Sequence, residues 1–373
     1  MRVIRLKLCD LRRFTEVELL PSSGVNLITG NNGAGKTSLL EALHLMAYGR
    51  SFRGRVRDGL IRSGAGALEV FVEWIEDNGA TGDATESGRR RRRAGLRHTG
   101  QSWEGRLDGE SVAYLGELCA ALAVVSFEPG SHALVSGGGE FRRRFLDWGL
   151  FHVEQGFLSL WRRYMRSLKQ RNALLKTDAG AAQFDVWDRK LAESGELLTR
   201  YRRHYLEALQ TRVSAIAGIL APGLGIRELR FSPGWKKDEI SLADALLLVR
   251  DRDRQTGYTS IGPHRADWEA VFADIPGKEA LSRGQAKLTA LSCLLAQAED
   301  YSERHAEWPV VVLDDLASEL DRNHQRRVLN YLQEGQAQVF ITATEAPSVL
   351  DETGIPYVLF HVEQGRLSSY GNE

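Results

Sequence analysis

Cysteine is scarce in this chain. Cys9, Cys119 and Cys293 are the only three among 373 residues. They are far apart, odd in number and without the paired spacing of a metal site. That argues against a disulfide framework or a zinc module, and points to a reducing cytoplasm. A net charge is missing too, since 49 basic residues balance 49 acidic ones. The molecule as a whole is not a polycation, so nucleic-acid contact would need a local patch. No apolar run approaches the length of a membrane span. The opening MRVIRLKLCDLRRF carries charges where a signal peptide needs an apolar core. Nothing matches a helix-turn-helix, a zinc finger or the aromatic pattern of an RNA platform, which argues against sequence-specific readout.

What is present is ample core material: 43% of the residues are hydrophobic. That suits one large or two moderate domains. Val3–Leu20 reads as two strands joined near Asp10–Thr15, and Val25–Thr29 as a short buried strand. A helix follows Lys36, with Leu39, Leu40, Leu43, Met46 and Ala47 at helical spacing. Leu68–Glu76 alternates like a half-buried strand. Thr81–Gly100, which contains the arginine run Arg89–Arg93, has no periodicity and reads as a mobile loop.

The character then changes. Phe157–Lys176 and Val186–Val213 are amphipathic helices, with no heptad sustained long enough for a coiled coil. Strand patterns return at Ile226–Phe231 and Trp268–Phe272. Helix and strand alternate from Arg283 to Val362. This is α/β wiring interrupted by a helical segment. The expected organisation is a discontinuous α/β lobe, residues 1–130 and 255–373, with residues 131–254 inserted as a mainly helical second lobe.

Gly30-Asn31-Asn32-Gly33-Ala34-Gly35-Lys36-Thr37 fits G-x-x-x-x-G-K-[ST] at every defined position and runs on into Ser38. An apolar strand precedes it and a helix follows. Glycines allow a tight turn around an anion, and the amides then point inward at the positive end of the helix. Lys36 can reach the β- and γ-phosphates of ATP, and the Thr37 hydroxyl can ligate Mg²⁺. The competing reading is a plain strand-to-helix turn. Agreement of motif and context decides against it.

A phosphate loop needs a carboxylate near the metal and a group to orient water. The segment VVVLDDLASELD (Val310–Asp321) offers both, because its carboxylates sit at the C-terminal end of a buried strand, where ligands bind in open α/β sheets. Asp314 is the candidate Mg²⁺ ligand and Asp315 the candidate for polarising the attacking water. By themselves they could equally be a helix cap or a surface pair. Leu281-Ser282-Arg283-Gly284-Gln285 precedes another amphipathic helix. Taken alone, Ser282 is a helix N-cap.

The set of phosphate loop, LSRGQ, DD strand end and SELD resembles the ATP-binding-cassette ATPases, and within them the head domains of the SMC and Rad50 group. GRSFRGRVRDGLI (Gly49–Ile61), EFRRRFLDWGLF (Glu140–Phe151), YMRSLKQRNALLK (Tyr164–Lys176) and SIGPHRADW (Ser260–Trp268) resemble the RecF family of bacterial recombination mediators, in that family's order. The resemblance implies a P-loop NTPase of the cassette type and a head-to-head dimer that forms on ATP. In that dimer Ser282, Arg283, Gly284 and Gln285 would touch the γ-phosphate held by the other subunit. It also implies binding to DNA at gaps and work with RecO and RecR in loading RecA. Asp315 stands where most cassettes have glutamate, which implies slow turnover. Thr342 and Thr344 lie where a switch histidine is usual, and Glu128 lies near the place of a missing glutamine. His264 and Arg265 carry an expected contact to nucleotide or partner subunit.

For DNA the candidate is Phe157–Lys176, which is basic and has no acidic residue. Arg162, Arg166 and Lys169 share one helical face opposite the apolar stripe, and Arg163, Arg171 and Lys176 add charge. Such a face suits phosphates without regard to base sequence. The plain alternative is a solvated helix face. For the whole chain, an ATP-gated DNA clamp competes with a transporter ATPase subunit and a small-molecule kinase. Arg283, in place of the transporter glycine, and the basic insertion disfavour the transporter. A kinase needs no LSRGQ.

Overall fold

The computed structural model describes residues 1–53, 59–77, 89–177 and 180–370. The chain opens with β1 (Arg2–Leu11), β2 (Phe14–Leu19), β3 (Val25–Thr29) and α1 (Lys36–Tyr48). Next come β4 (Leu68–Asp77), β5 (Arg89–His98), β6 (Trp103–Leu107), β7 (Glu110–Ser111), α2 (Leu115–Ala121) and β8 (Val124–Phe127). Helices α3 (Ala133–Ser136), α4 (Gly139–Val153), α5 (Phe157–Leu174) and α6 (Ala181–Leu220) follow, then β9 (Ile226–Ser232), α7 (Leu242–Leu248), α8 (Arg250–Thr256) and β10 (Asp267–Phe272). After α9 (Arg283–His305) the chain closes with β11 (Val310–Leu313), α10 (Leu316–Glu319), α11 (Arg322–Glu334), β12 (Val339–Thr342), α12 (Ser348–Thr353), β13 (Tyr357–Glu363) and β14 (Arg366–Tyr370).

These elements form two compact units. One comprises Met1–Ser131, Ile219–Ala221 and Leu294–Glu373, the other His132–Gly218 and Pro222–Cys293. The first seam falls between Ser131 and His132. The helical unit runs past residue 254 to Cys293. Its additional length has a local reason: β9 and β10 pair with each other, Trp268 against Phe231, and Arg202 of α6 binds the Pro263 carbonyl.

Two sheets build the first unit. One has the order β14-β13-β3-β12-β11-β8. Its strands from β13 to β8 are parallel, and β14 is antiparallel. A parallel strand covered on both faces reads as an apolar run without alternation. VNLIT in β3 and VVVL in β11 are buried at every position. Helix α1 is buried through most of its length.

The second sheet, β2-β1-β4-β5-β6-β7, pairs antiparallel throughout. Alternate residues Leu68, Val70, Val72 and Trp74 of β4 are buried, as one covered face requires.

Two sequence expectations change here. Arg89–Arg93 is not a loop. It is the first half of β5, paired with β4 from Asp77↔Arg89 to Leu68↔His98. The acids that make a strand of arginines possible lie across the sheet: Arg91 pairs with Glu73 at 3.0 Å, and Arg92 with Glu76 at 3.3 Å and Asp108 at 3.0 Å. Residues 81–88 of that segment lie outside the described residues. The second amphipathic helix is also longer than its clearest pattern, spanning 40 residues as α6.

Candidate functional site

The geometry of the site follows from sheet order. Strand β12 lies between β3 and β11. Its last residue, Thr342, pairs in register with Ile28, and its Ile341 with Leu313. Three strand ends therefore stop side by side. The phosphate loop leaves β3, Asp314 follows β11, and Thr342 closes β12 between them.

The loop Gly30–Gly35 crosses from β3 to α1. Gly30 has φ 145°, and a Cβ there would lie 2.2 Å from the Val362 carbonyl oxygen, so only glycine fits. Gly35, at φ 122°, lies against the Phe14 ring. Asn31, Asn32 and Gly33 are exposed, while Ala34 is buried beneath them. The Ala34 amide bonds the Asn31 carbonyl at 3.1 Å and the Ser38 amide the Gly35 carbonyl at 2.9 Å. The N-terminus of α1 carries no acidic residue in its first turn, so its field is left for an anion.

Lys36 opens α1. Its Nζ donates to the Gly30 carbonyl at 2.6 Å and to the Asn31 carbonyl at 3.1 Å. Burial lowers its pKa, against the pull of Asp315 and Asp314. The Thr37 hydroxyl donates to Asp314 Oδ1 at 2.9 Å, and the Thr342 hydroxyl donates to the same oxygen at 2.7 Å. Burial pushes the Asp314 carboxyl up, while these two bonds and the charge of Arg53 hold it down.

Asp315 is in the left-handed region at φ 55°. Its amide donates to Thr342 Oγ1 at 2.8 Å, and its carboxylate accepts the Ser318 hydroxyl. Lys36, Thr37, Ser38, Asp314, Asp315 and Thr342 line a cavity of about 330 Å³.

Three cations that the sequence did not single out share this cavity: Arg12, Arg13 and Arg53. Arg12 is held by the fully buried Glu41 through two bonds of 3.1 and 3.0 Å. Arg13 and Arg53 are exposed. Only the charged DLRRF turn between two strands hints at the first two. The sequence places Thr342 only in the switch region, and no local signal marks a lone threonine at a strand end.

The oxygen chemistry suits Mg²⁺. Thr37 Oγ1 and Asp314 Oδ1 are hard donors already at hydrogen-bond distance, and Mg²⁺ prefers few protein oxygens plus water and phosphate. No group of three or more His, Cys, Asp or Glu side chains able to hold a metal occurs among the described residues.

The other candidates lie in the helical unit. Ser282 caps α9 in a reciprocal box: its amide donates to Gln285 Oε1 at 2.9 Å, and the Gln285 amide donates to its Oγ at 3.2 Å. Ser282, Arg283 and Gly284 are exposed. On α5, Arg166 and Lys169 are exposed and Arg162 is half-buried.

Arg171 departs from the expected basic face. It is fully buried, with Asp188 and Asp253 each at 2.6 Å. The counter-charges absent from α5 come from α6 and α8. His264 is packed between the Tyr164 hydroxyl at 2.7 Å and the Thr259 carbonyl at 2.9 Å. Burial brings its pKa down to about 4, so the ring is neutral and structural. Glu128 accepts the Gly130 amide within its own turn.

A strand–phosphate loop–helix facing a DD strand end, with LSRGQ as a helix cap, defines a P-loop NTPase of the cassette-type head. The chain matches the family model described as RecF/RecN/SMC N terminal domain over residues 2–367. It is 66% identical over 367 residues to the DNA replication and repair protein RecF of Stenotrophomonas maltophilia (strain R551-3), covering 98% of this chain and 99% of that one. To the protein of the same name from Shewanella denitrificans (strain OS217) it is 36% identical over 373 residues, covering 99% of each.

Among solved structures it is similar to one described as the recombination mediator protein RecF-ATP in the RecFOR pathway. The TM-score is 0.84 at 24% identity, covering 99% of this chain and 98% of the other. An SMC head bound to the C-winged helix domain of ScpA gives 0.57 at 17%, covering 100% and 98%. Both solved likenesses speak for the fold alone. The chain belongs to the RecF family of DNA replication and repair proteins. The transporter reading finds no support in these likenesses, and no helix among the described residues is long and apolar enough to cross a membrane.

Proposed function

We propose that this chain is an ATP-gated DNA clamp of recombinational repair. Its carrying observation is the bracket of Thr37, Asp314 and Thr342 beside the phosphate loop. ATP binds with its phosphates on the Gly30–Thr37 amides, and Lys36 exchanges its carbonyl partners for the β- and γ-phosphates. Thr37 and Asp314 hold Mg²⁺, which when bound neutralises charge on the phosphate oxygens. Asp315 orients the attacking water. Its carboxylate has to leave Ser318 to do so, and the shorter aspartate arm makes turnover slow.

In this reading a second copy supplies Ser282, Arg283, Gly284 and Gln285 to the γ-phosphate. ATP binds the closed pair better than the open chain and so favours it. Hydrolysis weakens the contact and releases DNA. The basic face of α5, with Arg162, Arg166 and Lys169, meets DNA phosphates at gaps without reading sequence. DNA stimulates the ATPase. Work with RecO and RecR in the cytoplasm follows by family likeness, the nearest support being the RecFOR pathway named for the solved RecF-ATP structure.

Light scattering with and without ATP and Mg²⁺ tests the clamp. Wild type shifts from monomer to dimer on ATP, and Asp315→Asn traps the dimer. Lys36→Arg and Ser282→Arg prevent it. A monomer under every condition overturns the reading.

A further inference from the structure

Tyr258 and Arg265 form an exposed pair on the helical unit. The Arg265 guanidinium lies over the Tyr258 ring, 5.3 Å from its centre. The tyrosine nevertheless stays 47% exposed. The turn that displays them is braced by buried and half-buried polar groups. Arg202 donates to the Pro263 carbonyl at 2.6 Å and Arg143 to the Ala266 carbonyl at 2.7 Å. Asn172 accepts the Thr259 amide at 2.8 Å, and Asp253 accepts the Ser260 amide at 3.0 Å. His264 is pinned on both ring nitrogens.

Surface loops are usually the loosest parts of a fold. Ordering one this firmly costs conformational entropy, and its effect is to pre-orient the groups it carries. The turn also borders the basic helix. The Lys176 side chain lies 3.9 Å from where a Cβ on Gly257 would stand, and Asn172, which grips Thr259, lies one turn from Lys169 on α5. No acidic residue occurs in α5.

We propose that Tyr258 and Arg265 are a stacking platform for an unpaired base of single-stranded DNA, with Lys169 and Lys176 supplying charge for the flanking phosphates. A flat ring backed by a guanidinium offers a π surface that any base can match, so no sequence readout is needed. Duplex bases are stacked on one another and cannot use it. The platform therefore distinguishes the unpaired part of a gap from its paired flanks. This inference rests on the DNA-binding reading above and refines it.

The full-length protein with ATP and Mg²⁺ is titrated by fluorescence anisotropy against two probes. One is single-stranded oligo-dT carrying one 2-aminopurine, the other a blunt duplex. Tyr258→Ala weakens single-strand affinity roughly ten-fold and removes the 2-aminopurine quenching, while duplex affinity stays within about two-fold. Tyr258→Trp restores single-strand affinity. Thermal melts of both variants match wild type, because the ring is exposed.

Equal single-strand affinity for wild type and Tyr258→Ala overturns the platform, as does an equal loss on both probes. Wild type that binds duplex but no single strand overturns the platform alone. Wild type that binds neither probe overturns the DNA reading with it. A Tyr258→Ala variant that binds DNA normally but loses self-association assigns the surface to protein contact, and the platform falls.

Discussion

Thr342 gives its hydroxyl proton to Asp314 Oδ1 at 2.7 Å and takes the Asp315 amide proton at 2.8 Å. One side chain thus ties the Asp314 carboxylate to the Asp315 backbone. Thr342→Val keeps the shape and removes both bonds. The unpartnered, half-buried Asp315 amide and the less anchored Asp314 cost about 1–3 kcal/mol of stability. ATP turnover falls at least ten-fold while nucleotide affinity changes only a few-fold, and Thr342→Ser recovers most of the rate. Steady-state hydrolysis beside fluorescent-nucleotide titration reads the split. A Thr342→Val enzyme with normal turnover would remove this residue from the site.

Gly30 has no room for a side chain. Gly30→Ala drives a methyl into the Val362 carbonyl in a left-handed backbone region. Strain and overpacking together cost roughly 2–4 kcal/mol. Urea unfolding should show that loss even without nucleotide, which separates it from a purely ligand-binding defect.

Arg166 and Arg171 lie on the same helix with opposite assignments. Arg166→Ala with Lys169→Ala removes two exposed cations. Duplex affinity then falls, and the slope of log affinity against log salt decreases by roughly 2. The fold is untouched. Arg171→Met leaves Asp253 without its cation in the interior and Asp188 with Arg250 alone, and costs about 3–5 kcal/mol. Melting curves tell the two apart. An unchanged salt slope in the double variant would take α5 out of the DNA surface.

His264 makes stability depend on acid. Burial lowers its pKa in the fold from 6.5 to about 4. Above about pH 6.5 the ring is neutral, folded or unfolded, and nothing is lost. Below that the unfolded chain binds the proton first, so stability falls as pH drops from 6.5 towards 4. At pH 5 the loss is about 2 kcal/mol. His264→Gln should flatten this part of the profile. Denaturant titrations at pH 7 and 5 for both proteins measure the difference, and parallel profiles would refute the assignment.

Much of the cassette-like half was legible because its signals are local. VNLIT, GNNGAGKTS and VVVLDD carry strand, turn and charge within short stretches of chain. The LSRGQ cap is equally local, since Ser282 and Gln285 bond each other across one helical turn. Where partners are distant, reading along the chain misled. Arg89–Arg93 looks like a solvated run until Glu73, Glu76 and Asp108 are seen across the sheet. Arg171 looks like part of a basic face until Asp188 and Asp253 close over it.

By itself the order of residues determined the phosphate loop, the DD strand end and the alternation of strand and helix. Backbone geometry and hydrophobic period are set by neighbours a few positions away, and short spacing preserves them. Only the tertiary structure decided that Thr342 holds the two aspartates, that Arg12 is neutralised by Glu41, and that Tyr258 meets Arg265 on a braced turn. Those depend on which strands lie side by side and which helices pack together. A hydrogen bond or ion pair acts over a few ångströms of space, however many residues separate its partners along the chain.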